Sequence, residues 1–138
     1  MFDENIIKNF IEILNDENRT HATAQELNYG MECSNDFLQD LETLKRYGFI
    51  MVSNSVTNNP NLRLTFDGVY YGKEYLDNYD ASYDKVVDLM EKSSCNTTRE
   101  ISKHLGINHL ICGAIFIDLA EQGLIKYEKG VGGLKLKL

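Results

Sequence analysis

The sequence predicts an α+β fold, mainly α-helical with small β hairpins, in which one arrangement of helices occurs twice in tandem. Three observations predict it. Apolar residues recur at the three-to-four-residue spacing of amphipathic helices. Thr-x-x-Glu, a helix-start pattern, occurs once in each half of the chain. Short strand-like runs follow the third predicted helix of each half.

The first half begins with a predicted helix over residues 3–15. Its apolar face consists of Phe2, Ile6, Ile7, Phe10, Ile11 and Leu14. Thr23 and Glu26 mark the start of a short second helix that we expect to end at Gly30. Ser34 can cap a third helix, which Gly48 would stop.

A predicted hairpin follows the third helix. Its strands are residues 49–52 and 62–65, and a polar loop over residues 53–61 joins them. Thr65 can cap a fourth helix that runs to about Leu76 and connects the halves. We therefore expect a first domain over residues 1–77 and a second over residues 78–138.

The second half repeats this order at a nearly constant distance. Thr97 and Glu100 lie 74 residues after their counterparts Thr23 and Glu26. The third helix is predicted over residues 108–122, and strands over residues 124–128 and 134–138 flank a glycine-rich turn. The apolar and glycine positions that end the third helix recur 75 residues apart, which makes Leu44, Gly48 and Ile50 equivalent to Leu119, Gly123 and Ile125.

These landmarks carry a resemblance to a known superfamily. The second half resembles the helix-turn-helix and the start of the wing in winged-helix regulators such as the MarR-like group. The residues that carry this resemblance are Glu100, Ile101, Leu105, Gly106, Ile107, Leu119, Gly123, Leu124 and Ile125. The first half resembles the same pattern through Leu41, Leu44, Gly48, Phe49, Ile50, Leu64, Thr65 and Gly68. The resemblance implies two tandem winged helix-turn-helix domains and a DNA-binding transcriptional regulator. In that family the third helix enters the major groove and the wing lies along the backbone.

Composition indicates a globular protein without a membrane segment. Hydrophobic residues make up 43% of the chain and charged residues 25%. No run of about 18 apolar residues occurs, and the N-terminus lacks the basic start of a secretory signal, so we expect a cytoplasmic protein. The three cysteines show no Cys-x-x-Cys spacing, and no nucleophile stands with a base. We therefore expect no metal, no cofactor and no enzymatic activity.

Charge is distributed unevenly along the chain. The net charge is −7, but residues 1–81 carry 6 basic and 14 acidic side chains, whereas residues 82–138 carry 8 and 7. In the first half, the outward positions of the third helix include Asp36, Asp40 and Glu42, which phosphate would repel. We therefore expect any DNA contact to come mainly from the second half.

The second half supplies the candidate DNA-binding residues. Phosphate contact is assigned to the basic residues of the second helix and the wing, which are Arg99, Lys103, Lys126, Lys129, Lys135 and Lys137. Base contact is assigned to Asn108 and His109 at the start of the third helix. Strand alternation puts Leu134, Leu136 and Leu138 on one face and Lys135 and Lys137 on the other. The alternative is a strand edge that lysines keep soluble.

A second candidate surface is apolar. The 75-residue offset places Cys112, Phe116 and Leu119 in the core, which leaves an outward apolar face composed of Leu110, Ile111, Ala114 and Ile115. Such a face predicts contact with the other domain, with a second copy of the chain or with another protein. The alternative is an offset wrong by one residue, which would bury these side chains as core. The competing function is thus a protein interaction adaptor that does not bind DNA.

Tyrosines are concentrated between the two halves, where Tyr70, Tyr71, Tyr75 and Tyr79 lie close in sequence. We interpret this cluster as packing between the domains and not as a base-stacking surface.

Overall fold

The computed structural model describes residues 4–53 and 59–137. Phe2, Leu138 and most of the predicted first loop lie outside the described residues. The protein is a mixed α/β chain with small antiparallel sheets, and it divides into two compact units, residues 1–76 and 77–138. The boundary derived from the sequence lies one residue later. None of the described helices is both long and apolar enough to cross a membrane.

Each unit contains three helices followed by a β hairpin, and the first unit has additional elements. The first unit contains α1 (Glu4–Glu17), β1 (His21–Thr23), α2 (Ala24–Leu27), α3 (Asn35–Arg46), β2 (Ile50–Val52), β3 (Asn61–Leu64), α4 (Phe66–Tyr71) and a 3-10 turn (Lys73–Tyr75). The second unit contains α5 (Tyr79–Lys92), α6 (Thr98–Leu105), α7 (His109–Glu121), β4 (Tyr127–Gly130) and β5 (Gly133–Leu136).

The first unit contains a three-stranded antiparallel sheet in the order β1-β3-β2, with α2 and α3 next to it and α1 packed against α2 and the 3-10 turn. The core side of α1 is the apolar face that the periodicity predicts, and Ile6, Ile7, Phe10, Ile11 and Leu14 are buried. Strand β1 was not predicted from the sequence, because it is only three residues long. Its last residue, Thr23, also caps α2, because the Thr23 hydroxyl accepts from the Glu26 N–H while the Glu26 carboxylate accepts from the Thr23 N–H.

Two predicted helices end early in the first unit. The second helix stops at Leu27 instead of Gly30, because Tyr29 and Gly30 adopt positive φ angles of 58° and 81°. The fourth helix stops at Tyr71 instead of Leu76. Gly72 follows it and lies against Ile7, where an added Cβ would be 2.7 Å from a side-chain carbon. This close approach explains why a glycine interrupts the predicted helix.

The second unit repeats the pairing of the first with a shorter first strand. Thr97, one residue before α6, forms an isolated antiparallel bridge to Lys135 of β5. Thr97 is therefore equivalent to Thr23, which precedes α2 and pairs with β3 in the first unit. Both third helices end in the same C-terminal motif. Gly48 and Gly123 have φ angles of 80° and 76°, and the residue after each donates its N–H back to the helix.

The second hairpin is shifted from its predicted position. The first strand was expected over residues 124–128 but spans Tyr127–Gly130. Leu124 belongs instead to the end of α7, since its N–H donates to the Leu119 carbonyl at 2.9 Å. An apolar residue after a C-cap glycine thus completed the helix motif and did not begin a strand.

Helix α7 does not present the apolar face that was predicted. Every residue from Cys112 to Leu119 is buried, including Ala114 and Ile115, while Leu110 and Ile111 are half-buried. Helix α7 packs against α5, α6 and β5 of its own unit. The prediction of exposed Ala114 and Ile115 was therefore wrong.

The physical reason lies in the helix lengths. Helix α7 has 13 residues and α3 has 12, so the offset between the repeats changes from 74 to 75 within the helix. One residue corresponds to about 100° of rotation on a helix. A single fixed offset therefore assigns part of α7 to the wrong face, and a helix that is apolar all round gives no periodicity to correct it.

Truncation of Ile115 tests whether it is core. Ile115→Ala should lower the free energy of unfolding by about 2–5 kcal/mol, because it leaves a cavity in a fully buried site. The matched control is Leu124→Ala, since the Leu124 side chain is 64% exposed. Urea denaturation followed by circular dichroism measures both variants. Equal, small effects would contradict the burial of Ile115.

Candidate nucleic-acid interface

The register of the β4–β5 hairpin decides which wing side chains share a face. Glu128 stands opposite Lys135, and Lys129 stands opposite the buried Leu134. The Lys137 N–H donates to the Lys126 carbonyl at 2.8 Å, which adds one more pair. Directly opposite residues lie on the same face of an antiparallel pair. The outer face of the wing therefore carries Lys126, Glu128, Lys135 and Lys137, and Lys129 lies on the other face near the turn.

Helix α6 brings two further basic residues to the wing. Arg99 and Lys103 are exposed and lie four residues apart, so they share one face of α6. The Arg99 N–H donates to the Gly132 carbonyl at 3.2 Å, which fixes the start of α6 beside the wing turn. The structure thus gathers the six predicted phosphate-contact residues on α6 and on the hairpin that packs against it.

Acidic side chains within unit 2 are concentrated on a different element. Helix α5 carries Asp80, Asp84, Asp88 and Glu91. On α6 and the hairpin the only acidic residues are Glu100 and Glu128. The six basic residues of these two elements, all exposed, therefore outnumber the acidic ones by four. The position of Glu128 opposite Lys135 was not predicted, because it depends on the register of the hairpin.

The two predicted base-contacting residues are engaged within the protein. The Asn108 side chain caps α7 and accepts from the Leu110 N–H at 2.9 Å. The His109 Nε2 lies 2.8 Å from the Thr98 hydroxyl oxygen, and both Asn108 and His109 are half-buried. The Asn108 Oδ1 and the His109 Nε2 therefore make contacts that hold the start of α7. The base-reading role predicted for these two residues does not account for these contacts.

Thr98 connects α6, α7 and the wing. Its side chain is fully buried, and its hydroxyl accepts from the Leu134 N–H at 3.0 Å and donates to the Gly132 carbonyl at 3.3 Å. Gly133 lies against the same group with a φ angle of 90°, and a Cβ there would be 2.5 Å from the Thr98 oxygen and 2.6 Å from the His109 Nε2. One local signal for this role is present in the sequence, a threonine directly after a capping threonine.

The environment of His109 favours the neutral imidazole. Burial lowers the pKa of His109, and the positive charge of Arg99 lowers it further, while a hydrogen bond with the Gly132 backbone acts in the opposite direction. The imidazole therefore remains uncharged at pH values where an exposed histidine begins to take up a proton.

The third helices offer little chemistry for reading bases. Helix α7 has no exposed residue between His109 and Leu119. Helix α3 does expose polar side chains, but Asp36 and Glu42 are among them, and its basic residues, Lys45 and Arg46, lie in the last turn. The described surface thus combines exposed basic side chains on α6 and the second wing with a helix α7 that has no exposed residue between His109 and Leu119.

Outside this surface, one thiol lies near an imidazole. The Cys95 Sγ is 4.0 Å from the His104 Nδ1, a pairing that the sequence analysis did not consider. Across residues 4–53 and 59–137, no group of three His, Cys, Asp or Glu side chains is arranged to hold a metal ion.

The lowered pKa of His109 predicts a pH-dependent stability. The unfolded chain binds the proton more tightly than the folded one, so the stabilising contribution is present above about pH 6.5 and is lost as the pH falls. The free energy of unfolding should decrease between pH 7.5 and 5.5, and His109→Gln should reduce that decrease. His104→Gln is the control, because His104 is exposed and lies outside the Thr98 network. Equal pH dependence in wild type and His109→Gln would exclude this contribution.

The wing turn offers a second test with an internal control. Gly133→Ala places a Cβ against Thr98 and His109 at a positive φ angle, whereas Gly130→Ala meets nothing within 4 Å. The first variant should lose about 1–3 kcal/mol of stability and the second much less. Thermal unfolding of both proteins measures the difference, and similar losses would mean that the turn is not held by this contact.

Comparison of the chain with protein-family models, with curated proteins and with solved structures gives no match in any of the three. The candidate interface is therefore defined by its own residues.

Proposed function

We propose that the chain is a tandem winged-helix protein whose second unit binds the phosphate backbone of double-stranded DNA without reading its sequence. The winged-helix assignment is supported by the order of elements, in which three helices precede a hairpin in each unit. It is also supported by the pairing of a short segment before the second helix with the returning strand, as in His21 opposite Arg63 and Thr97 opposite Lys135.

The observation that carries the DNA proposal is the clustering of exposed basic side chains on α6 and the wing. Lysine and arginine that face phosphate release condensed counterions, which provides most of the affinity of non-specific DNA binding. Arg99 at the start of α6 is tied to the wing turn, so both elements present their cations from a fixed framework. Such a framework suits a backbone whose charges are regularly spaced.

The absence of sequence reading follows from the third helices. Specific recognition requires polar side chains that reach base edges in the major groove. Helix α7 is buried from Cys112 to Leu119, and Asn108 and His109 at its start are engaged in the Thr98 and N-cap contacts. We therefore propose a DNA-associated regulatory protein, not an enzyme, that recognises DNA by charge and shape.

A second candidate function is a protein interaction adaptor. It is favoured by the acidic side chains on α3 and by Glu128, which faces Lys135 and offsets part of the wing charge. Under this alternative the wing lysines keep an exposed strand soluble and do not contact phosphate.

Salt-dependent DNA binding distinguishes the two functions. Fluorescence anisotropy of a labelled random duplex, titrated with protein at several salt concentrations, gives the slope of log K against log salt. Each phosphate contact adds about −0.9 to that slope. The variant Lys135→Gln/Lys137→Gln should bind more weakly and show a slope shallower by about 1.8, since two contacts are removed.

The matched control is Lys85→Gln/Lys92→Gln on α5. It removes the same net charge from the same unit but lies outside the wing. The control should retain the wild-type slope within error. Equal losses in the two variants would indicate attraction by net charge alone, and no binding by wild type at low salt would exclude the DNA proposal in favour of an adaptor.

A further inference from the structure

The first unit exposes a row of three aromatic rings. Tyr47 stacks on Phe49 with ring centroids 5.8 Å apart, and Phe49 stacks on Tyr71 at 4.4 Å. The outer rings are accessible, with Tyr47 62% and Tyr71 39% exposed. Offset stacking orients each ring and reduces the entropy that would be lost when a partner binds. This aromatic row is therefore a preorganised surface.

One end of the aromatic row opens into a small cavity. The cavity has a volume of about 150 Å³ and is lined by Glu4, Tyr71, Glu74 and Tyr75. Tyr71 belongs to both features, and its hydroxyl donates to the Glu4 carboxylate at 3.1 Å. Two tyrosines and two glutamates thus line one space.

The lining defines the charge of the ligand and the volume limits its size. A ring face attracts a cation through its quadrupole, and a carboxylate attracts the same cation directly. Cavities that hold whole small molecules usually measure about 300–1,000 Å³, so this one suits the end of a single side chain. Tyrosines of this segment already attract lysines of the same chain, since the Lys73 Nζ lies 4.8 Å from the centre of the Tyr70 ring.

An internal cation also lies near the cavity. The Lys8 Nζ is 6.0 Å from the centre of the Tyr75 ring, one turn along α1 from Glu4. Lys8 thus adds one positive charge beside a residue that lines the cavity. The first unit as a whole remains acidic, because residues 1–76 carry 6 basic and 12 acidic side chains. A basic partner segment therefore complements its surface.

We propose that the cavity and the aromatic row form a docking site for a basic segment of a partner protein. One lysine or arginine side chain enters the space between Glu4, Glu74 and Tyr75, and apolar residues beside it lie on Tyr47 and Phe49. The site belongs to the first unit, so it does not depend on whether the second unit binds DNA.

The first experiment compares three ligands by NMR, using ¹H–¹⁵N spectra of the full chain at constant ionic strength. The ligands are the peptide acetyl-Leu-Lys-Leu-amide, the same peptide with neutral norleucine in place of lysine, and n-butylammonium. The lysine peptide should cause saturable shifts of the amide signals of residues 71–75. It should bind at least 10-fold more tightly than n-butylammonium, which cannot use the aromatic row. The neutral peptide should show no saturation.

Three variants separate the parts of the site. Glu74→Gln should lower the affinity for both the lysine peptide and n-butylammonium at least 5-fold. Tyr47→Ala should lower the affinity for the peptide by a similar factor and leave the affinity for n-butylammonium unchanged. The control Glu12→Gln removes one exposed carboxylate of the same unit that does not line the cavity, and it should leave both affinities unchanged.

Three results would overturn the proposal. The first is no saturable shift with the lysine peptide at 10 mM. The second is equal binding of the neutral peptide. The third is an equal effect of Glu12→Gln and Glu74→Gln, which would indicate attraction by net charge without a site.

Discussion

The hydroxyl group of Thr98 determines how the second unit is assembled. It is fully buried and bonded to two backbone groups of the hairpin, and it lies within hydrogen-bonding distance of His109 at the start of α7. A buried hydroxyl without partners costs about 1–3 kcal/mol. The helices and the hairpin must therefore adopt positions that satisfy this one group together. In a unit of about 60 residues, which buries a limited apolar area, such a constraint orients a hairpin that packing alone would hold loosely.

The two units use one order of elements for different surfaces. In the first unit α3 is amphipathic and exposes acidic side chains, and the aromatic row lies at the ends of α3 and α4. In the second unit the equivalent helix α7 is buried, and the exposed basic side chains lie mainly on α6 and the hairpin. A repeat can therefore conserve the backbone while it exchanges which element faces the solvent.

Local signals in the sequence determine the elements but not the surfaces. Helix periodicity, the Thr-x-x-Glu starts and the glycine C-caps locate α1, α2, α3 and α7 to within a few residues, because these signals act over one or two turns. The orientation of α7 could not be predicted, since eight consecutive buried residues carry no periodicity. The residue opposite Lys135 depends on the register of the hairpin. That register could not be predicted, because the first strand begins three residues later than expected.

The cavity of the first unit could not be predicted from the sequence, for a related reason. Glu4 and Tyr71 are 67 residues apart, and only the packing of the first unit brings them together. The tyrosine cluster itself was visible, but its interpretation as domain packing does not account for the exposed ring of Tyr71. Long-range proximity between residues of ordinary types leaves no local pattern.

The register of the β4–β5 hairpin has a consequence for the proposed contact with phosphate. It places Glu128 opposite Lys135, on the outer face that also carries Lys126 and Lys137. Under that proposal, a phosphate group near Lys135 is attracted by three lysines and repelled by one carboxylate that is fixed to the same pair of strands. A repulsive charge built into the binding face shortens the time spent at any one position, so it favours movement along a polyanion over long residence.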